Sequence, residues 1–215
     1  MIDFGNSNPL ELVHNLNVSI CFYNVQSPIN LGQSMRACEM FHIWMAVHDG
    51  YKILEDEDKL KTLNDFSTGA SSRLKDYSIG DFENYENARR KQGRFIVNYF
   101  DEDAVEVDHF EFKDHDTILI GNEYDDLDPK IIERADAKVY IPLAPGYTPK
   151  AKSFSPIDPT RENSDNEDEQ GGMPSLNVSQ KTTILAYKVF EQRLKSPEVR
   201  EMMDFFQQEL LQIED

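Results

Sequence analysis

Three short stretches of this 215-residue chain carry side chains whose types and spacing suit polar chemistry. The first is Asn30-Leu31-Gly32-Gln33-Ser34-Met35-Arg36, where an amide and a guanidinium stand six positions apart. The second is Ile120-Gly121-Asn122-Glu123, where a glycine, an amide and a carboxylate leave an apolar run. The third is Gly172-Met173-Pro174-Ser175-Leu176-Asn177-Val178-Ser179, which opens a helical run from Gln180 to Leu194. Ser175, Asn177 and Ser179 offer three side-chain caps for the unpaired amides of that helix start. Such a start is a natural place to hold a polar ligand. Most capped helices bind nothing, so the signal lies in the three stretches taken together.

The elements around them read as one α/β sheet. Val18 to Tyr23 is a short apolar run and predicts a buried strand. Pro28 and Asn30 break the chain, and a helix from about Leu31 to Phe41 follows, with Asn30 as its cap. Only as a cap does Asn30 come onto the same side of the helix as Arg36. Trp44 to Val47 predicts a second strand, and strand-helix-strand order is the start of a parallel sheet. Ligands of such sheets sit at the carboxyl ends of the strands. Phe95 to Tyr99, Thr117 to Ile120 and Val139 to Leu143 read as further strands, with Asn98 at a strand end. Pro129 to Arg134 reads as a helix. Residues 145–173 are rich in proline and acidic side chains and predict a mobile insertion. The divisions expected are a lead-in at 1–17, a domain at 18–195 and a C-terminal amphipathic helix at 196–215.

Charge argues against strong non-specific nucleic-acid binding. The net charge is -18, whereas nucleic-acid binders usually present a basic face. Local charge at a cleft can still differ from the total. The densest basic cluster is Arg89-Arg90-Lys91 with Arg94. It admits two readings: cations at a helix end, where they suit the dipole, or contacts to RNA phosphate. Ser67 to Arg73 is a small-residue loop, either a plain turn or one whose amides and Arg73 meet a phosphate. Asp108-His109 and Asp114-His115-Asp116 lack a second ligand set at metal-site spacing, so no metal is expected. Cys21 and Cys38 sit in apolar contexts and suit buried thiols of a reducing compartment. The start shows no basic-then-apolar signal pattern, and no apolar run approaches a membrane span of ~20 residues. A soluble, cytoplasmic protein is expected. Neither a P-loop, a G-x-S-x-G elbow nor a G-x-G-x-x-G turn occurs.

The three stretches, in this order, resemble the three motifs of the SpoU (TrmH-type) branch of the SPOUT RNA methyltransferases, from about Val18 to Leu194. The resemblance implies a mostly parallel α/β sheet flanked by helices, with a C-terminal deep trefoil knot. It implies methyl transfer from S-adenosylmethionine to a ribose 2′-hydroxyl of tRNA or rRNA, tRNA foremost, by a homodimer whose subunits complete each other's site. Arg36, Asn30, Glu123, Ser175 and Asn177 then match catalytic positions. Asn98, Gly121, Asn122, Ile141, Pro142, Leu143, Leu176 and Asn177 match the cofactor pocket. Arg36 would stabilise negative charge on the attacking oxygen with its forked donors, since a guanidinium is a poor base. The second motif departs from the family by reading Tyr124-Asp125-Asp126-Leu127 where glycine is usual. The alternative is a non-catalytic cofactor- or RNA-binding protein on the same fold.

Overall fold

The computed structural model describes residues 17–74, 77–122, 127–145 and 176–195, together with Pro197, Glu201 and Asp204. Four apolar runs form the central strands: β1 (Ser19–Tyr23), β2 (Trp44–His48), β4 (Phe95–Asn98) and β6 (Thr117–Ile120). Their side chains alternate between two cores, as the two-residue period of a strand requires. Ile20, Phe22, Ile96, Ile118 and Ile120 face one core, and Cys21, Phe95, Val97 and Leu119 face the other. Burial on both faces is the mark of a parallel sheet covered by helices.

The sheet has seven strands in the order β3-β2-β1-β6-β4-β7-β5, all described pairs parallel. β7 is Ala137–Tyr140, and β3 (Ser78–Ile79) and β5 (Val105–Glu106) are two-residue edges. Both edges were invisible to a pattern search because two residues carry no period. The expected last strand at Val139 to Leu143 lies two to three residues earlier, so Ile141 to Leu143 form the exit from the sheet rather than its edge.

One face is covered by α1 (Pro28–Met40), α2 (Glu57–Ser67) and α6 (Val178–Leu194). Leu31, Met35 and Cys38 of α1, Leu63 of α2, and Leu185, Ala186 and Val189 of α6 meet in the larger core. The opposite face carries α4 (Phe82–Arg90) and α5 (Pro129–Glu133), with Phe82, Tyr85 and Ile131 over the smaller core. A short α3 (Ala70–Arg73) follows the left-handed residues Thr68 and Gly69. Thus the small-residue stretch around Ser67 ends one helix and starts another.

Two helix starts differ from expectation. The cap of α1 is Ser27, whose Oγ accepts from the Asn30 amide at 3.2 Å. Pro28 at the first helical position supplies a φ suited to the helix, so the helix begins three residues before Leu31. Asn30 therefore lies inside the first turn, and at about 100° per residue it points roughly 120° away from Arg36. The α6 cap is Asn177, in a reciprocal box with Gln180; Ser179 lies within the helix and Ser175 lies outside the described residues.

α1 and α2 approach closely at Gly32. A Cβ there would stand 2.6 Å from the Leu63 carbonyl oxygen and 3.1 Å from the Ser67 nitrogen. Both neighbours are main chain and cannot swing aside. Gly32→Ala is expected to lower stability by about 1–3 kcal/mol, the usual effect of overpacking, read as a lower urea midpoint with unchanged slope.

Candidate functional site

The candidate residues fall in two groups. The first lies past the carboxyl ends of three neighbouring strands. β6, β4 and β7 are adjacent, and their ladders stop at Ile120, Asn98 and Tyr140. Gly121, Asn98 and Ile141 therefore leave the sheet side by side. Asn98 donates from Nδ2 to the Val139 carbonyl at 3.0 Å, which locks β4 to β7 at this edge. Ile141 is half-buried against the larger core, whereas Pro142 and Leu143 are exposed. Gly121 and Asn122 are half-buried. A Cβ on Gly121 would come within 3.0 Å of the Leu127 side chain, so the bare glycine leaves room for Leu127 at the strand end. Glu123 lies outside the described residues.

The second group lies along α1 and α6, which run in the same direction. Their starts are joined by Ser179 Oγ and Gln33, 3.0 Å apart. Their far ends are joined by Arg193, whose Nη1 donates to the carbonyls of Phe41 and His42 at 3.2 and 3.0 Å. Arg193 is 1% exposed, and burial pushes its guanidinium down to about 10. Phe41 also packs against Tyr187 and Phe190. Leu176 and Asn177 are thereby set beside α1, near Gln33.

On α1, Ile29, Gln33, Arg36 and Met40 form one exposed stripe at helical spacing. Arg36 makes no hydrogen bond or ion pair among the described residues. The other six described arginines are all engaged. Arg73 pairs with Glu39 in a two-pronged bond, which holds the Glu39 carboxyl below its usual range. Arg89 donates to Thr117 and Ser19 at 2.8 and 3.0 Å. Arg90 and Arg134 meet the buried Glu86, and Arg90 also meets Asp136. Arg94 forks onto the buried Asp116 at 2.9 and 2.6 Å. Arg193 is the clamp just described.

Arg89, Arg90 and Arg94, for which two readings stood open, are each engaged within the fold. Ser19 and Thr117 open β1 and β6, Asp116 precedes β6, and Asp136 precedes β7. The three arginines are thus ties at the amino edge of the sheet, opposite the edge where Gly121 and Ile141 leave it. Arg73 likewise joins α3 to α1. Lys91 is exposed. Among the described residues, no group of three or more acidic, His or Cys side chains is arranged to hold a metal, and no helix is long and apolar enough to cross a membrane. Asp108 pairs with Lys188 at 2.7 Å.

A fully parallel sheet sandwiched by helices defines an α/β protein, and its small and polar residues gather past the carboxyl ends, the edge where sheets of this kind take ligands. The chain belongs to the SpoU rRNA Methylase family, whose model matches residues 17–149, more than half of its length. Members are RNA methyltransferases that use S-adenosylmethionine. No curated protein is a sequence relative at a meaningful level. Among solved structures, the A. aeolicus TrmH/SpoU tRNA modifying enzyme is 17% identical with a TM-score of 0.63, over 90% of this chain and 83% of that one. The SpoU methyltransferase AviRb from Streptomyces viridochromogenes is 22% identical with a TM-score of 0.55, over 82% of this chain and 60% of that one. AviRb has also been solved in complex with AdoMet. A structure described by the 2-OH methylation of C/U34 on tRNA is 15% identical with a TM-score of 0.59, over 81% of this chain and 95% of that one. The chain thus spans only about 60% of the length of AviRb.

The residues at the strand exits fit a nucleoside. Ile141 and Leu143 offer apolar surface, and main chain runs on past the ladders at Gly121 and Ile141 to Leu143, where amides and carbonyls can read a base. Sequence reasoning passed over Gln33 as a functional residue. Its signal was its place one turn before Arg36 on the same exposed stripe.

A nucleophilic cysteine is excluded on geometry. Cys21 and Cys38 are fully buried, and burial pushes the Cys38 thiol up to about 12 and that of Cys21 higher still. The thiolate is the reactive form. A colourless-to-yellow thiol reagent at pH 8 should find no reactive group among these two in the native protein and both in urea. Rapid labelling of either in the folded state would show that the interior opens there.

Proposed function

We propose that this protein transfers a methyl group from S-adenosylmethionine to a ribose 2′-hydroxyl of RNA, and that tRNA is its substrate. The observation that carries the reading is Arg36: an exposed guanidinium without a partner among the described residues, in a chain whose other described arginines are all engaged. Two of the structures that it spans over most of their length, at 83% and 95%, concern tRNA, which supports that choice of RNA. When bound, S-adenosylmethionine supplies a methyl group on a sulfonium, open to in-line attack. The chain's own work is then positioning and charge. Gly121, Asn122, Ile141, Pro142, Leu143 and Leu176 would hold the nucleoside largely through main chain, with Asn98 fixing the floor between β4 and β7. Arg36 would face the attacking ribose oxygen and stabilise the charge that grows on it, while the hydroxyl proton would pass to solvent and the sulfur would depart as a neutral thioether. Asn30, Glu123, Ser175 and Asn177 would orient groups around it.

Arg36 and the strand exits are taken to meet between two chains. Arg36 lies nine residues beyond the Ser27 cap, about 13 Å along a helix that runs away from the carboxyl edge. The exposed stripe Ile29, Gln33, Arg36 and Met40, beside the exposed Tyr187 of α6, is a surface on which a second copy can pack. We therefore take the active form as a homodimer in which Arg36 of one subunit serves the strand exits of the other. The trefoil knot belongs to the same proposal, because residues 146–175 lie outside the described ones.

The test is to incubate the protein with labelled S-adenosylmethionine and total RNA and map 2′-O-methyl nucleotides. Transfer to a tRNA is expected. Arg36→Ala should slow it about 100- to 1,000-fold, the usual effect of removing one charge-stabilising donor, with cofactor affinity kept. Tight cofactor binding without transfer to any RNA would instead favour a non-catalytic binding protein. The internal engagement of Arg89, Arg90 and Arg94 gives that second reading its support.

A further inference from the structure

Ser179 is at the second position of α6 and 6% exposed. Its hydroxyl lies 3.0 Å from Gln33 Oε1 and 2.8 Å from Asn177 Oδ1. Two acceptors thus face one hydroxyl, which has a single proton to give. The contacts balance when the Gln33 amide is turned so that its NH2 faces Ser179, since the two ends of an amide have the same shape. Gln33 then donates to Ser179, Ser179 donates to Asn177, and Asn177 Oδ1 still accepts from the Gln180 amide at 2.8 Å. In return the Asn177 main-chain amide donates to Gln180 Oε1 at 3.0 Å. The result is a directed pair of hydrogen bonds, Gln33 to Ser179 to Asn177, that ends on the oxygen of the capping box and joins residues 146 positions apart.

We infer that Gln33 is a positioning residue that sets the Leu176–Asn177 cap of α6 against the helix carrying Arg36, by donating to Ser179. Gln33 is otherwise exposed, so its side chain has no core to fill. It lines an open cleft of about 370 Å³ with Leu176, Ser179, Gln180, Thr183 and Ile184. Arg36 stands one turn further along the same stripe. The relay therefore ties the third motif to the first at the point where both reach the surface. A drift of about 1 Å in a group that holds a reacting partner is enough to slow a reaction strongly. The functional part of this inference rests on the methyltransferase reading; the direction of the hydrogen bonds does not.

Gln33→Glu is the decisive variant, because it keeps shape and volume but has no N–H to donate. With Gln33→Ala, Ser179→Ala and the double alanine variant it forms a cycle. S-adenosylmethionine affinity by calorimetry is expected to fall about three- to tenfold in each single variant, the size of one side-chain hydrogen bond. The double variant should be no weaker than the weaker single one, as for two members of one network. Hydrogen exchange without cofactor should show the Gln180 amide exchanging faster in every variant. Wild-type affinity in Gln33→Glu, or additive losses in the double variant, overturns the proposal. So does faster exchange with unchanged affinity, since the link then positions nothing. If the wild-type chain binds no S-adenosylmethionine, the methyltransferase reading falls, and exchange alone judges the relay: an unchanged Gln180 amide in Gln33→Glu overturns it, a faster one sustains it.

Discussion

The docking of α6 along α1 is the constraint on which the rest depends. α6 returns to the sheet from a segment more than 30 residues after β7 and carries the last candidate residues with it. Leu185, Ala186 and Val189 bury its inner face, but apolar packing alone leaves a helix free to slide by a turn. Arg193 removes that freedom. Its guanidinium reaches the carbonyls at the end of α1, where a helix leaves acceptors unpaired and a cation is favoured. Burying that charge is costly, as its depressed pKa shows. The two carbonyl bonds offset the cost only in one register. Gln33 and Ser179 fix the same register from the other end. The start of α6 is then placed to within the length of a hydrogen bond.

The two edges of the sheet divide the labour. At the amino edge, Arg89 spans Ser19 and Thr117, Arg94 forks onto Asp116, and Glu86 gathers Arg90 and Arg134. These bonds hold β1, β6, β4 and the turn before β7 in parallel alignment. Cation–π contacts of Arg90 with Phe95 and of Arg94 with Phe110 add to the same edge. With that end tied, the carboxyl end can be built from glycine, short loops and exposed main chain. A binding edge needs such groups, and they contribute little to stability themselves.

The central strands and both long helices were legible in the sequence because their apolar runs are long enough to show a period. Thr117 to Ile120 fell where its four buried residues placed it. The errors have distinct causes. Ser27-Pro28 started α1 early because proline at the first helical position outweighs a later asparagine as a start signal. The two-residue strands β3 and β5 exist only through their neighbours. The partners of the arginine cluster were not legible, because charge density along the chain says nothing about which acids approach from elsewhere. Asp116 and Asp136 are respectively 22 and 46 positions from the arginines they bind. Gln33 was missed for the same reason, since its partner lies on a helix distant in sequence.

The acidic total looks at odds with an RNA substrate until the charge is placed. In the described part of the chain, guanidinium groups are consumed by carboxylates, hydroxyls or carbonyls of the fold, and Arg36 is left over. A net charge of -18 weakens loose association with any polyanion over the whole surface. It bears less on a contact made at one exposed cation, because a charge acts mainly within a Debye length of about 8 Å. Such a protein would bind RNA poorly wherever the RNA merely touched it. It would bind well only where shape brought a ribose to Arg36 and a second subunit's strand exits together. Under the proposed function, the excess of acid would select against wrong contacts, and discrimination would rest on geometry rather than on attraction.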